Sequence, residues 1–137
     1  MKLEELSKIK LTNVLYLGIE LSPASKDQLE LIFGKKTSDH VTIAFGEQIT
    51  AHQMIWICGM SNVVITFTAE QIGENEKTVA IFLDNFDVTV PFDKSIRPHI
   101  TIEVKEGGKP KDSNKIRKFK KLEQRIHLSG KTKIWTK

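Results

Sequence analysis

The chain has 137 residues, 39% hydrophobic and 28% charged, with one cysteine; this is one domain's worth of ordinary globular sequence, which excludes a disordered tail, a fibre and a disulfide framework. No run reaches the roughly 18 uninterrupted apolar residues of a membrane helix, and Met1-Lys2-Leu3-Glu4-Glu5 is too acidic for a secretory signal. The net charge of +4 is uneven, −5 over residues 1–104 and +9 over the basic C-terminal segment 105–137, which reads either as a solvated lysine-rich helix or as a salt-sensitive attractor of polyanions.

In chain order, Leu3, Leu6 and Ile9 have the spacing of a short amphipathic helix, and residues 13–21 follow as a strand with Leu15, Leu17, Ile19 and Leu21 on one face. Ser22 and Pro23 have the chemistry of a helix start, Leu29, Ile32 and Phe33 turn that helix toward a core, and Gly34 stops it. His40-Val41-Thr42-Ile43-Ala44-Phe45 alternates and is rich in β-branched residues, which predicts a second strand closed by Gly46. Further strand-like runs cover 54–58, 63–68, 79–83 and 88–90, separated by turn-rich pieces at 59–62 and 73–76. Pro98 precedes another alternating strand, residues 99–104, and Gly107-Gly108 breaks the chain after it. Asp112 or Ser113 then caps an expected helix with Ile116, Phe119, Leu122 and Ile126 as its stripe, and Gly130 separates it from a last strand at 133–135. With no linker or repeat, the expectation is one α+β domain over residues 1–137, mostly antiparallel, with two or three helices on the sheet.

Two of the four histidines open strands in the same frame: His40-Val41-Thr42-Ile43 and His99-Ile100-Thr101-Ile102. Side chains alternate along a strand, so His40 and Thr42 face one way, about 6.6 to 7 Å apart, while Val41 and Ile43 face the other. His99 and Thr101 repeat the arrangement. A proton-exchanging imidazole and a hydroxyl that donates a hydrogen bond can act on one oxyanion at this separation. Either motif alone reads equally well as a strand-edge histidine satisfying a carbonyl; the repetition points to chemistry.

These motifs, 59 residues apart and preceded by the strand and helix of residues 13–33, resemble the two-histidine (2H) phosphoesterase superfamily. More narrowly, residues 39–46, 98–102 and Lys109-Pro110-Lys111-Asp112-Ser113-Asn114 are similar to the cyclic phosphodiesterase domain of fungal-type tRNA ligases, and that kinship implies, as an expectation, a stand-alone version of the domain. The resemblance implies a bilobal fold, antiparallel sheets and helices around a central cleft, each lobe contributing one motif. It implies metal-independent opening of 2′,3′-cyclic phosphates at RNA ends or on nucleotides, with His40 and His99 as the acid/base pair, Thr42 and Thr101 binding the phosphate, and no cofactor. The chemistry of the residues agrees. Opening the ring needs a base for the attacking water and an acid for the departing ribose oxygen, and two imidazoles supply both forms near neutral pH. Two hydroxyls, helped by a lysine of the basic segment, meet the developing charge. Which histidine is the base stays open at this stage.

Other residues have plainer readings. His52 and His127 lack a threonine partner, and His127 suits the C-terminal end of the expected basic helix. Glu103 shares the strand face of His99. Tyr16, Phe45 and Phe92 read as core aromatics able to stack on a base, Cys58 as a small buried hydrophobe, and Lys94 and Arg97 as phosphate contacts or rim partners of Asp93. Two other functions fit: a hydrolase of 2′,5′-linked or cyclic signalling oligonucleotides, and a non-catalytic RNA-binding module drawing affinity from the basic segment. The expected partner is an RNA end or nucleotide rather than a membrane, and the expected protein is a cytoplasmic or nuclear monomer.

Overall fold

Six strands and two α-helices account for most of residues 13–137, which the computed structural model describes; the helix expected from Leu3, Leu6 and Ile9 lies outside the described residues. β1 (Val14–Leu21), β2 (His40–Phe45), β3 (Val64–Glu74), β4 (Thr78–Asp84), β5 (His99–Val104) and β6 (Phe119–Thr136) form one antiparallel sheet in the order β2-β1-β6-β3-β4-β5. α1 (Pro23–Phe33) joins β1 to β2, α2 (Ala51–Gly59) joins β2 to β3, and short 3-10 turns lie at Gly46–Gln48 and Pro110–Lys115. The architecture is α+β, as expected. No helix among the described residues is long and apolar enough to cross a membrane.

Local chemistry builds the first half. Ser22 caps α1, its hydroxyl accepting from the Ser25 N–H at 3.3 Å, and Gly34 ends it at φ 69°, a left-handed conformation that glycine adopts without a Cβ clash. One face of the sheet, carrying Leu17, Ile19, Val41, Ile43, Ile65, Phe67, Ile81, Ile100 and Leu128, is buried against Leu29 of α1 and Ile57 of α2. A bulge near the start of β1 shifts the pairing between Val14 and Tyr16. It turns Val14 inward and leaves Leu15 half exposed, so only Leu17, Ile19 and Leu21 of the expected row are buried.

Three expectations for the chain beyond β2 are corrected. Residues 54–58, read as a strand, belong to α2, because Thr50 and Gln53 form a reciprocal cap in which each side chain accepts the other's backbone N–H at 3.2 and 2.9 Å. Cys58 is consequently exposed rather than buried. Residues 88–90 form no strand; Val88 and Val90 pack on the main core from an irregular segment. The expected basic helix is instead the long strand β6, preceded by the 3-10 turn. Ile126, Leu128, Gly130, Thr132 and Ile134 are buried alternately with exposed or half-buried neighbours, a period of two that pairs with β1 on one side and β3 on the other. His127 is therefore an exposed strand residue, not a helix end, and His52 is exposed in α2.

Gly130 does not break this strand. A Cβ there would lie 2.4 Å from the Glu20 carbonyl oxygen and 2.7 Å from Ile19 Cγ2, so glycine is what lets β1 approach. Gly130→Ala is expected to destabilise the protein by about 1–3 kcal/mol, the usual range for overpacking; urea denaturation checks it.

The two outer strands of the sheet, β2 and β5, come back toward each other. Ser38 N–H donates to the Thr101 carbonyl at 3.0 Å, and Asp93 N–H, from the segment between β4 and β5, donates to the Ile43 carbonyl at 2.9 Å. Strands at opposite ends of the sheet order thus become neighbours.

Candidate active site

Where β2 and β5 approach, a cavity of about 500 Å³ opens, lined by His40, Thr42, His99 and Thr101 together with Tyr16 and Phe45. Its volume falls in the range of small-molecule sites, roughly 300–1,000 Å³. All four residues singled out by the repeated motif meet in it, because Val41, Ile43 and Ile100 face the core and alternation turns the intervening residues outward. His40 and His99 are half-buried, as is Thr42; Thr101 is buried.

The histidines are held differently. His99 Nδ1 lies 2.7 Å from the Arg97 carbonyl oxygen; a carbonyl only accepts, so Nδ1 carries the proton and Nε2 keeps its lone pair in the neutral ring. Burial pushes the His99 pKa below that of ordinary imidazole; the bond to Arg97 opposes this, and the nearby His40 charge adds to the lowering. His40 Nδ1 lies 3.2 Å from Asp39 Oδ1. Partial burial works to raise the Asp39 carboxyl, but the hydrogen bond and charge of His40, with Lys26, outweigh it and hold the group lower than usual. Behind His40 the Tyr16 ring stacks with centroids 4.9 Å apart, and the Trp135 ring stacks on Tyr16 at 4.7 Å. Trp135 leans over Gly18, where a Cβ would meet its ring at 3.0 Å and the Val41 carbonyl at 2.4 Å. The phenol of Tyr16 is raised by burial and by the Asp39 charge.

Thr101 is fixed from the other side, its hydroxyl 3.0 Å from that of Ser113 in the 3-10 turn. The same turn brings Lys111 and Asn114 to the cavity, and Lys36 lines it from the segment before β2. The Lys109–Asn114 segment was legible as part of the resemblance and, at Asp112 or Ser113, as a helix cap, and Trp135 as the end of a last strand; neither carried a signal for the site. Glu103 also lines the cavity, ion-paired to Lys35, whose hydrogen bond and charge lower its carboxyl.

Other candidates fall elsewhere. Phe92 packs on Phe86, 5.2 Å between centroids, rather than in the cavity. Lys94 and Arg97 do not line it, and Asp93 Oδ1 accepts from Ser95 N–H and Oγ instead of pairing with them. The arrangement combines two imidazoles with different second-nitrogen partners, two hydroxyls and two ammonium groups around one cavity, a set able to move protons on either side of a phosphoryl group and to bind its oxygens. No protein-family model and no curated protein matches this chain.

Proposed function

We propose that the protein is a metal-independent phosphodiesterase that opens 2′,3′-cyclic phosphates at RNA ends or on nucleotides. One observation carries the reading: two His-apolar-Thr-apolar strands, 59 residues apart in sequence, face a single cavity. The sheet order agrees with this reading: β2, next to β1 at one end, carries the first motif, β5, next to β4 at the other, carries the second, and β6 runs between β1 and β3.

The hydrogen bonds support a division of labour. His99, neutral with Nδ1–H tied to a carbonyl, takes a proton from the attacking water at Nε2. The water oxygen bonds to phosphorus as the bond to one ribose oxygen breaks, and His40 gives that oxygen its proton. The Asp39 carboxylate, accepting from His40 Nδ1, meets the positive charge of the acid form. Thr42 and Thr101, with Lys36 and Lys111, bind the phosphoryl oxygens as charge builds on them.

Turnover of the four nucleoside 2′,3′-cyclic phosphates in the presence of a chelator tests this, with ring opening expected for wild type; no opening of any of them would reject it. Thr42→Val or Thr101→Val is expected to lower kcat about 10²–10³-fold, the scale of losing one oxyanion donor, measured on the same substrates.

A further inference from the structure

Two rows of paired residues run from the second motif across the sheet. In one, His99 on β5 faces Phe82 on β4, Phe82 faces Gln71 on β3, and Gln71 faces Lys121 on β6. In the next, Thr101 faces Ala80, Ala80 faces Gly73, and Gly73 faces Phe119. Directly paired residues project from the same side of a sheet, so both rows continue the surface that carries His99 and Thr101. This side is not the main core, since Ala80 and Phe82 form a separate small cluster with Ile116.

Arg97 lies over both rows. Its guanidinium carbon is 4.6 Å from the Phe82 ring centroid and 4.3 Å from that of Phe119, and it donates a hydrogen bond to Gln71 Oε1. Phe119 remains 38% exposed, and Arg97, Lys118 and Lys121 are exposed. Among the described residues none of these three cations has a carboxylate within 4 Å. Two carboxylates line the groove that holds Gln71, Phe82, Arg97 and Lys121: Glu70 pairs with Arg125 at 2.8 Å, whereas Asp84 Oδ1 accepts from Asn85 N–H at 2.8 Å and, among the described residues, has no cation within 4 Å. Beyond the buried Ala80, Phe82 and Ile116, the far end of these rows therefore offers a guanidinium plane and an aromatic ring on the surface, with Lys121 in the row of Gln71 and Lys118 next to Phe119 in sequence. Three interstrand steps of roughly 4.8 Å make this strip about 14 Å long, more than one nucleotide needs.

We propose that this strip is a track for single-stranded RNA, holding the nucleotides that precede a cyclic phosphate bound between His40 and His99. A base stacks on the Phe119 and Arg97 planes, whatever its identity, while Lys118 and Lys121 meet the backbone phosphates. The inference rests on the phosphodiesterase reading and deepens it: the substrate is the end of an RNA chain rather than a free nucleotide.

The probe is a fluorescein-labelled RNA hexamer ending in a 3′-phosphate, followed by anisotropy across a salt series. Lys121→Glu and Phe119→Ala are each expected to weaken binding about tenfold, with Lys121→Glu also flattening the salt dependence. Lys121 is exposed, so its substitution tests the track even where Phe119→Ala loosens the ring packing. In parallel, the ratio of kcat/KM for a hexamer ending in a cyclic phosphate to that for a nucleoside cyclic phosphate is expected to be tenfold or more in wild type and to fall toward one in both variants. Unchanged binding in the variants, or a wild-type ratio of one, overturns the track while leaving the phosphodiesterase intact. Loss of hexamer binding in the variants of a protein that opens no cyclic phosphate keeps the track and rejects the phosphodiesterase.

Discussion

Replacing His40 or His99 by alanine is expected to lower kcat/KM for a 2′,3′-cyclic phosphate about 10²–10⁴-fold, the range for loss of a general acid or base. The double replacement should cost little more than either single one, because the two rings act on opposite sides of one phosphorus in the same step. The wild-type pH profile should be bell-shaped. A base works only when neutral, so activity rises as pH climbs through the His99 pKa; burial holds that pKa below the ordinary value, so the acid limb is expected below about pH 6.5. The alkaline limb marks the acid losing its proton. Profiles of residual activity separate the roles, with His99→Ala losing the acid limb and His40→Ala the alkaline one. The reverse pattern would exchange the two assignments, and binding of product unchanged in both variants would show that the losses are chemical.

The largest expected effect on stability is at Phe67→Ala. This ring is 2% exposed on β3, and stacks on Phe86 with centroids 4.9 Å apart. Phe86 in turn packs on Phe92, and the segment holding them donates from Asp93 N–H to β2 and accepts at the Pro91 carbonyl from Gln53 Nε2 of α2, at 2.9 Å in each case. Truncating the ring removes buried area and leaves a cavity beneath that segment, a loss of about 3–5 kcal/mol against total stabilities of roughly 5–15 kcal/mol for such domains. Urea unfolding should show the shift in midpoint. Phe67 does not line the cavity, so turnover per folded molecule at low temperature should stay close to wild type; a proportionate loss there would mean that the segment between β4 and β5 positions the catalytic strands as well as supporting them.

Much of the first half of the fold was legible because its signals are local. Ser22-Pro23 and Gly34 mark the ends of α1 through capping and a left-handed turn, and those interactions are completed within a few residues. The same holds for β2 and β5, whose opening His-apolar-Thr-apolar residues alternate, and it is why His40, Thr42, His99 and Thr101 could be paired off as facing one side. Residues 54–58 were not legible: a five-residue apolar run fits a buried strand as well as a helix, and the Thr50–Gln53 cap that decides it precedes the run. In β6, the spacing of Ile116, Phe119, Leu122 and Ile126 imitates a helical stripe. The structure divides these residues, with Ile116 in the small cluster around Phe82, Leu122 and Ile126 on the main core, and Phe119 at the Phe82 ring.

The sequence by itself therefore determined the α+β class, the limits of α1, β2 and β5, and two matching histidine–threonine pairs, the members of each facing one side, since each depends on periodicity or capping over a few residues. Only the tertiary structure decided that residues 119–136 are the strand between the two halves of the sheet, because pairing with β1 and β3 stabilises an extended chain that its own residues describe ambiguously. It also decided that β2 and β5, at opposite ends of the sheet order, share one cavity, that Arg97 lies outside it across Phe82 and Phe119, and that Tyr16 and Trp135 stand behind His40. These depend on sheet curvature and on contacts between residues far apart in the chain, which local pattern does not encode.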